Sequence, residues 1–181
     1  MKLGDDEELE LDAIDWQILD ILQRDCKVSL AQIGQQVRLS PPSVLDRVKK
    51  LEEVGIIRGY HAHLDGRQLG LDVTAFVGVT VDHPTFIEDC ALAVSSLDAV
   101  QEIHHVTGEW TLLLKMKTRN TSSLEQVITQ IRCIKGVTRT ETMVVLSTQV
   151  ERSQVPIAHP SATGRRKGGR ATGLVKPARR A

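Results

Sequence analysis

The apolar residues of this chain change their spacing once, at a turn-rich segment, DGRQLG, at residues 65–70. Before this segment they recur every three or four positions, which predicts helices that each bury one face. After it, residues 73–81 place an apolar side chain at every second position, which predicts a strand. The 181 residues therefore divide into two small domains joined by a hinge at residues 65–71.

Three helices are predicted before the hinge. Apolar residues at helical spacing place the first over residues 11–24. Ser29 and Gln32 form a capping box that begins the second helix. Ser40, followed by a proline at the first helical position, begins the third. The segment IIRGYHAHL then follows as a short extended wing, so residues 11–64 are predicted to form a winged helix-turn-helix.

The third helix has a polar face. Ser43, Arg47 and Lys50 share it because they follow i, i+4, i+7 spacing, the layout of a DNA-reading helix. Arg47 suits a guanine edge, to which it can donate two hydrogen bonds, whereas lysines and helix N-termini suit phosphates. The same polar residues of the third helix, taken alone, are equally compatible with a charged face that only contacts solvent. The candidate DNA contacts are Ser29, Ser40, Pro42, Ser43, Asp46, Arg47, Lys49 and Lys50.

Strands and helices alternate after the hinge. Strands are predicted over residues 73–81, 100–106, 110–116 and 137–150, with helices that begin at the cap pairs Thr85/Glu88 and Ser123/Gln126. The resulting order, βαββαβ, is that of a ferredoxin-like domain, here residues 72–157, and the fold class is α+β. Aliphatic residues are expected on both faces of residues 73–81 and 143–146, so a homodimer packed sheet to sheet is predicted.

Four stretches of sequence, in this order and spacing, resemble the Lrp/AsnC (feast/famine) family of transcription regulators over residues 11–157. They are LDAIDWQILDILQRD, LSPPSVLDRVKKLEEVGIIRGYHAHLD, HHVTGEWTLLLKM and GVTRTETMVVL. The resemblance implies sequence-specific binding to pseudo-palindromic promoter sites on double-stranded DNA, in control of amino-acid or nitrogen metabolism genes. It also implies that the second domain is an ACT-like RAM domain. Dimers would assemble into octamers or similar oligomers, with a small effector, commonly an amino acid, bound between dimers.

The resemblance also implies an effector site in the loop between the second and third strands, supported by the last strand. Its residues here are Thr107, Gly108, Glu109, Trp110, Thr111, Thr142, Met143 and Val144. Family members that bind amino acids often carry an acid where this chain has Thr111. Either Glu109 substitutes for that acid, the ligand is not a simple amino acid, or no effector binds. An ordinary hairpin turn is the alternative for the loop.

Two alternatives to a ligand-tuned regulator remain. Sirohaem decarboxylases resemble the same family throughout, so the fold alone does not exclude catalysis. Their second domain carries the pattern R-x-H-x-Y-N-x-W, and the matching VTGEWTLLL lacks its Arg, His, Tyr and Asn. We therefore expect no catalytic residues, no enzyme activity and no cofactor. The other alternative is an architectural protein that wraps DNA with little sequence preference and has no effector.

The two ends of the chain carry opposite charge, although the formal net charge is zero. Residues 1–10 form an acidic tail, and residues 158–181 form a basic tail that we expect to be disordered. From residue 164 onward the basic tail contains no acid and the cations Arg165, Arg166, Lys167, Arg170, Lys176, Arg179 and Arg180. It either adds phosphate contacts or is a solubilising extension.

Metal and membrane sites are not expected. His61 and His63 share one face of an extended segment, but no acid or cysteine spacing accompanies them. His104 and His105 are adjacent and would point to opposite faces of a strand. The three cysteines show no C-x-x-C pair and are predicted to be buried thiols. No apolar run approaches a membrane span and no signal peptide is recognised, so a cytoplasmic protein is predicted.

Overall fold

The computed structural model describes residues 11–157. They form two compact units, one made of residues 63–151 and the other of the residues before 63 together with those from 152 onward. The predicted acidic tail and the predicted disordered basic tail lie outside the described residues.

The first unit contains the three predicted helices, α1 (Ala13–Arg24), α2 (Leu30–Val37) and α3 (Pro41–Glu53). The predicted caps at Ser29 and Ser40 are present, and α1 begins with a capping box between Asp12 and Asp15. One apolar cluster joins the helices, and its buried members are Ile18, Ile33, Val37, Val44, Val48 and Leu51. The helix-turn-helix is therefore confirmed.

The segment after α3, which was predicted as an extended wing, forms no hydrogen-bonded strand. The backbone N–H groups of Ile56 and Ile57 both donate to the Leu51 carbonyl oxygen, at 3.0 Å each. Further along, the Tyr60 hydroxyl donates to the Glu52 carboxylate at 2.8 Å. These bonds hold the chain against the end of α3, and the first two take up the backbone donors of Ile56 and Ile57.

The second unit has the predicted βαββαβ order. Its elements are β1 (Val73–Val81), α4 (Ile87–Ser95), β2 (Val100–His105), β3 (Leu112–Thr118), α5 (Thr121–Arg132) and β4 (Val137–Val144). The strands form one sheet in the order β2-β3-β1-β4, and every neighbouring pair is antiparallel. The fold class is confirmed.

Two predicted helix starts are wrong in detail. A short 3-10 helix (Pro84–Phe86) precedes α4, and the His83 side chain caps it by accepting from the Thr85 N–H. The N-cap of α5 is Asn120, whose side chain accepts from the Ser123 N–H at 2.8 Å. Ser123 is therefore the third residue of the helix, and its hydroxyl oxygen accepts from the Asn120 N–H at 3.1 Å, which completes a capping box.

One face of the sheet carries both helices and the main core. Its buried strand residues are Ala75, Val77, Val79, Val81, Leu112, Leu114 and Met116, which pack with Cys90, Val94, Leu124 and Ile131 of the helices. The opposite face of β1 carries Thr74, Phe76, Gly78 and Thr80, which alternate with the core residues. The prediction of aliphatic residues on both faces of β1 is therefore wrong, since this outer face is mixed.

Candidate nucleic-acid interface and effector loop

The turn between α2 and α3 sets how closely the two helices approach. Arg38 ends α2 in the left-handed conformation, with φ of 58°. Gly34 lies so near the turn that a Cβ there would stand 2.5 Å from the Leu39 carbonyl oxygen. Only glycine permits this approach, which places the N-terminus of α3 directly after the turn.

The serines predicted to contact phosphates also cap their helices. Ser29 accepts from the Gln32 N–H at 3.3 Å, and its hydroxyl donates to the Gln32 side chain at 2.9 Å. Ser40 accepts from the Ser43 N–H at 3.3 Å, and the two hydroxyls lie 2.8 Å apart. All three serines are exposed, so their hydroxyl groups lie at the surface of the DNA-reading motif.

The predicted polar residues of α3 divide into two groups. Pro42, Ser43, Asp46, Lys49 and Lys50 are exposed. Arg47 is turned toward α1 instead, and its side chain is 31% exposed. Arg47 Nη1 lies 2.6 Å from Asp15 Oδ1 and 2.8 Å from Asp12 Oδ2. Arg47 therefore differs from the other predicted residues of α3 in being partly buried and ion-paired.

This ion pair affects the protonation of both partners. The hydrogen bond to Asp15 is the largest influence on Arg47 and raises the pKa of its guanidinium. Partial burial acts to raise the pKa of Asp12, but hydrogen bonds from the Asp15 backbone and from Arg47 outweigh it and lower that pKa. A cleft of about 450 Å³ lies beside the pair and is lined by Asp12, Asp15, Ser43, Asp46, Arg47, Lys50 and Leu51.

The predicted effector loop joins β2 to β3 and is exposed from Thr107 to Glu109. Gly108 adopts φ of 119°, a conformation that favours glycine. Thr111 closes the loop onto β1: its N–H donates to the Val79 carbonyl at 2.9 Å, and its hydroxyl oxygen accepts from the Val81 N–H at 3.1 Å. Thr111 thus anchors the loop onto β1.

Glu109 already has a cationic partner. Arg139 Nη1 donates to Glu109 Oε1 at 2.7 Å, and Arg139 Nη2 donates to Glu141 Oε2 at 3.1 Å. Trp110 completes the group, because its indole N–H donates to Glu141 Oε2 at 3.4 Å and its ring lies against Gly78. Arg139, Glu141 and Gly78 were not among the residues predicted from the sequence. The pairing of Gly78 with Glu141 across β1 and β4 is the signal that locates them.

The three predicted effector residues of β4 do not share a face. Thr142 and Val144 pair with Val77 and Ala75, whose side chains belong to the core face. Met143 pairs with Phe76 and therefore lies on the outer face, the face that also carries Glu141. Only Met143 of the three is brought to the side of the sheet where Trp110 packs.

The histidines and cysteines between residues 11 and 157 are the candidates for a metal site, because the sequence contains two His pairs. Among residues 11–157, no three His, Cys, Asp or Glu side chains are grouped so that they could hold a metal ion. His104 instead lies 3.0 Å from Glu102 on the outer face of the sheet. Cys90 is buried, but Cys26 and Cys133 are exposed, so the prediction of three buried thiols is wrong. Cys133 directly follows α5, and Cys26 lies two residues after the end of α1.

Comparisons with known proteins assign the family. The AsnC-type helix-turn-helix domain matches residues 11–52, and the Lrp/AsnC ligand binding domain matches residues 74–155. The HTH-type transcriptional regulator FL11 of Pyrococcus abyssi is 33% identical over 82% of this chain and 98% of its own length. The chain belongs to the Lrp/AsnC family.

Other members of the Lrp/AsnC family agree with this assignment. The regulatory protein AsnC of Escherichia coli K12 is 30% identical over 81% of this chain and 97% of its own. Its solved structure covers 82% of this chain and all of its own, with a TM-score of 0.76. A Neisseria meningitidis transcriptional regulator in complex with L-Met has a TM-score of 0.77 at 28% identity, over 82% of this chain and 98% of its own.

These findings confirm the predicted family and function. This Lrp/AsnC protein is a DNA-binding transcriptional regulator that responds to a ligand. Its relatives are transcriptional regulators. Within residues 11–157, none of the helices is both long enough and apolar enough to cross a membrane.

Proposed function

We propose that this protein controls genes of amino-acid or nitrogen metabolism, and that a small effector bound between dimers tunes its binding to DNA. One observation carries the proposal: a helix-turn-helix with an exposed polar helix stands in one chain with a ligand-binding domain whose loop is exposed. The L-Met complex of the Neisseria regulator supports an amino acid as effector. A cytoplasmic location follows from this role.

The proposed DNA contacts are the exposed side of α3 and the helix N-termini. In a homodimer, two copies of α3 would enter successive major grooves of a pseudo-palindromic site. Lys49 and Lys50 would neutralise phosphates, and the N-termini at Ser29 and Ser40 would place backbone N–H groups at phosphates. Ser43, Asp46 and Pro42 would face base edges, with Arg47 at the margin of this surface.

The proposed effector site is the loop from Thr107 to Thr111 with its supporting strand β4. Glu109 is bound to Arg139, so it can pair with an effector ammonium group only by giving up or sharing that contact. Thr142 and Val144 lie on the other face of the sheet, which leaves Met143 as the β4 residue best placed to line the site. The loop would face a neighbouring dimer in an octamer or similar oligomer.

A thermal-shift and calorimetric screen of the common amino acids tests the effector proposal. We expect at least one amino acid to raise the melting temperature, because a ligand that binds only the folded state stabilises it. The same amino acid should change the footprint of the protein on its promoters. A blank screen with DNA binding intact would show that Thr111 marks the loss of amino-acid sensing.

An architectural role is the second candidate, and the C-terminal segment favours it. Residues 152–157 lie against α1 in the DNA-binding unit, where Gln154 Nε2 donates to the Gln23 carbonyl at 3.4 Å and the Val155 N–H donates to Gln23 Oε1 at 3.1 Å. The cations of residues 164–181 follow from there. Discrete footprints would support the regulator, and uniform coverage of DNA would support the architectural role.

We also propose that the protein has no enzyme activity. The stretch VTGEWTLLL lacks the polar side chains of the decarboxylase pattern, and Glu109 and Thr111 are committed to contacts within the domain. Haem absorbance after incubation with sirohaem tests this. Absence of binding is expected, and a haem band that decays with release of carbon dioxide would contradict it.

A further inference from the structure

The guanidinium of Arg47 occupies a site made by two carboxylates of α1. Asp12 Oδ1 accepts from the N–H groups of Ile14 and Asp15, at 2.8 Å and 2.9 Å. Asp15 Oδ2 accepts from the Asp12 N–H at 3.0 Å. One oxygen of each carboxylate is therefore held by the start of α1, and the other oxygen of each is bound to Arg47.

Because backbone N–H groups bind one oxygen of each carboxylate, both carboxylates are held in place without any contribution from Arg47. The capping box orients both carboxylates, so little conformational entropy is lost when the guanidinium binds them. Asp15 has a side chain only 13% exposed, and its charge is poorly solvated without a cation. Withdrawing Arg47 to reach a base would leave that carboxylate unpaired. The pairing thus opposes a base-reading position for Arg47.

We propose that Arg47 is a positioning residue that fixes the orientation of α3 on α1, and that base recognition belongs to the exposed residues Pro42, Ser43 and Asp46. The inference rests on the proposed DNA interface. Sequence spacing alone predicts that Arg47 binds a guanine edge, whereas its ion pair with Asp12 and Asp15 gives it a positioning role. Asp12 and Asp15 become part of the DNA-reading apparatus without contacting DNA, because they determine where the exposed side of α3 points.

The two roles of Arg47 make opposite predictions for Asp15→Asn. Asparagine keeps an oxygen for the Asp12 N–H but removes the charge that holds Arg47. If Arg47 positions the helix, this variant loses discrimination between cognate and scrambled DNA, as Arg47→Met does. If Arg47 reads a base, Asp15→Asn frees it, and discrimination stays the same or rises.

The test measures the ratio of Kd for scrambled DNA to Kd for a cognate promoter fragment, in the full-length protein. The variants are Arg47→Met, Asp15→Asn, their double mutant, and Arg47→Lys, which keeps a positive charge for the carboxylates. Lys27→Met, at the turn after α1, serves as a charge-matched control for loss of one cation. Circular dichroism of each free variant shows whether it is folded.

We expect Arg47→Met and Asp15→Asn each to lower the ratio by about tenfold. The double mutant should lower it no further, because both changes remove the same contact. The ratio for Arg47→Lys should lie between the ratios for Arg47→Met and wild type. The ratio for Lys27→Met should equal that of wild type. An Asp15→Asn ratio equal to or above wild type, with Arg47→Met reduced, would overturn the inference. A wild-type protein without any discrimination would overturn the proposed sequence-specific function itself, which is a separate result.

Should Arg47→Met fail to fold, Asp15→Asn and Arg47→Lys decide the matter. A folded Asp15→Asn variant that has lost discrimination supports positioning, and one that keeps it contradicts positioning. Arg47→Lys gives the complementary reading. Lysine keeps a positive charge for the carboxylates but lacks the planar fork with which arginine binds guanine. A ratio closer to that of wild type than to that of Asp15→Asn supports positioning, and a tenfold fall contradicts it.

Discussion

Trp110 lies against Gly78 so closely that a Cβ at position 78 would stand 2.5 Å from the indole ring. The glycine is in the middle of β1, and the tryptophan is at the end of the effector loop. The indole N–H also reaches Glu141 on the neighbouring strand. The loop is therefore seated on the sheet through one aromatic side chain that requires a glycine beneath it.

Gly78→Ala should displace Trp110 and destabilise the second domain by about 1–3 kcal/mol, the usual cost of overpacking. Urea unfolding measures this free energy, and tryptophan fluorescence in a Trp16→Phe background reports Trp110 alone. Gly66→Ala is the matched control, because its nearest neighbours are 3.7 Å away and its φ is −59°. Equal effects of the two variants would contradict the close packing of Trp110.

Thr111→Val should destabilise the protein by about 1 kcal/mol, because it leaves the Val81 N–H without the hydroxyl acceptor that it has at 3.1 Å. Thr111→Ser keeps the hydroxyl and should cost much less. Urea unfolding of the two variants, side by side, separates the hydrogen bond from the loss of a methyl group. If serine and valine cost the same, Thr111 does not anchor the loop through its hydroxyl.

The Asp12 carboxylate should contribute stability that depends on pH. Its pKa in the folded protein lies below the ordinary value of 3.8. The contribution is therefore complete above pH 3.8, and it is lost as the pH falls toward the folded pKa. Asp12→Asn retains an N-cap acceptor and removes the charge. At pH 6 the free energy of unfolding of the wild-type protein should exceed that of Asp12→Asn. At pH 3 the difference between the two proteins should be smaller.

A difference that does not change between pH 6 and pH 3 would contradict the ion pair of Asp12 with Arg47. Asp20→Asn is a control from the same helix. Asp20 pairs with Arg24 across one helical turn at 2.6 Å, and the arginine is largely exposed. Asp20 makes no bond to Arg47, so Asp20→Asn shows what the loss of a carboxylate that Arg47 does not contact does to the stability at the two pH values.

Removal of the basic tail should weaken the salt dependence of DNA binding. Each cation that neutralises a phosphate steepens the fall of affinity with salt, so a chain that ends at Ile157 should show a shallower slope. A chain of full length with the seven tail cations replaced by glutamine is the control for length. An unchanged slope in both would identify the tail as a solubilising extension.

Local signals in the sequence predicted the helices of the first domain well. Ser29 and Gln32 are three residues apart, so their capping box follows from spacing alone and is present. The pairing of Arg47 with Asp15 could not be predicted this way, since 32 residues separate them. It depends on the angle at which α3 crosses α1, which the turn and the core determine together.

The second domain shows the same division between local and long-range information. Alternation in β1 predicted the strand, and the same alternation places Gly78 and Thr80 on the outer face, so the mixed character of that face could have been predicted from the sequence. The contact between Arg139 and Glu109 depends on which strands are neighbours, because β4 lies beside β1 and the loop closes onto β1 through Thr111. Spacing within one element carries no information on such neighbours.

Footprinting on genomic promoter fragments, with and without the amino acid identified by the thermal-shift screen, is the most direct test of whether this protein is a ligand-tuned, sequence-specific regulator. A ligand-tuned regulator predicts discrete protected sites with two-fold symmetry, and the amino acid should change their extent or affinity. Uniform protection of unrelated fragments, unaffected by any amino acid, would contradict ligand-tuned regulation and support an architectural protein.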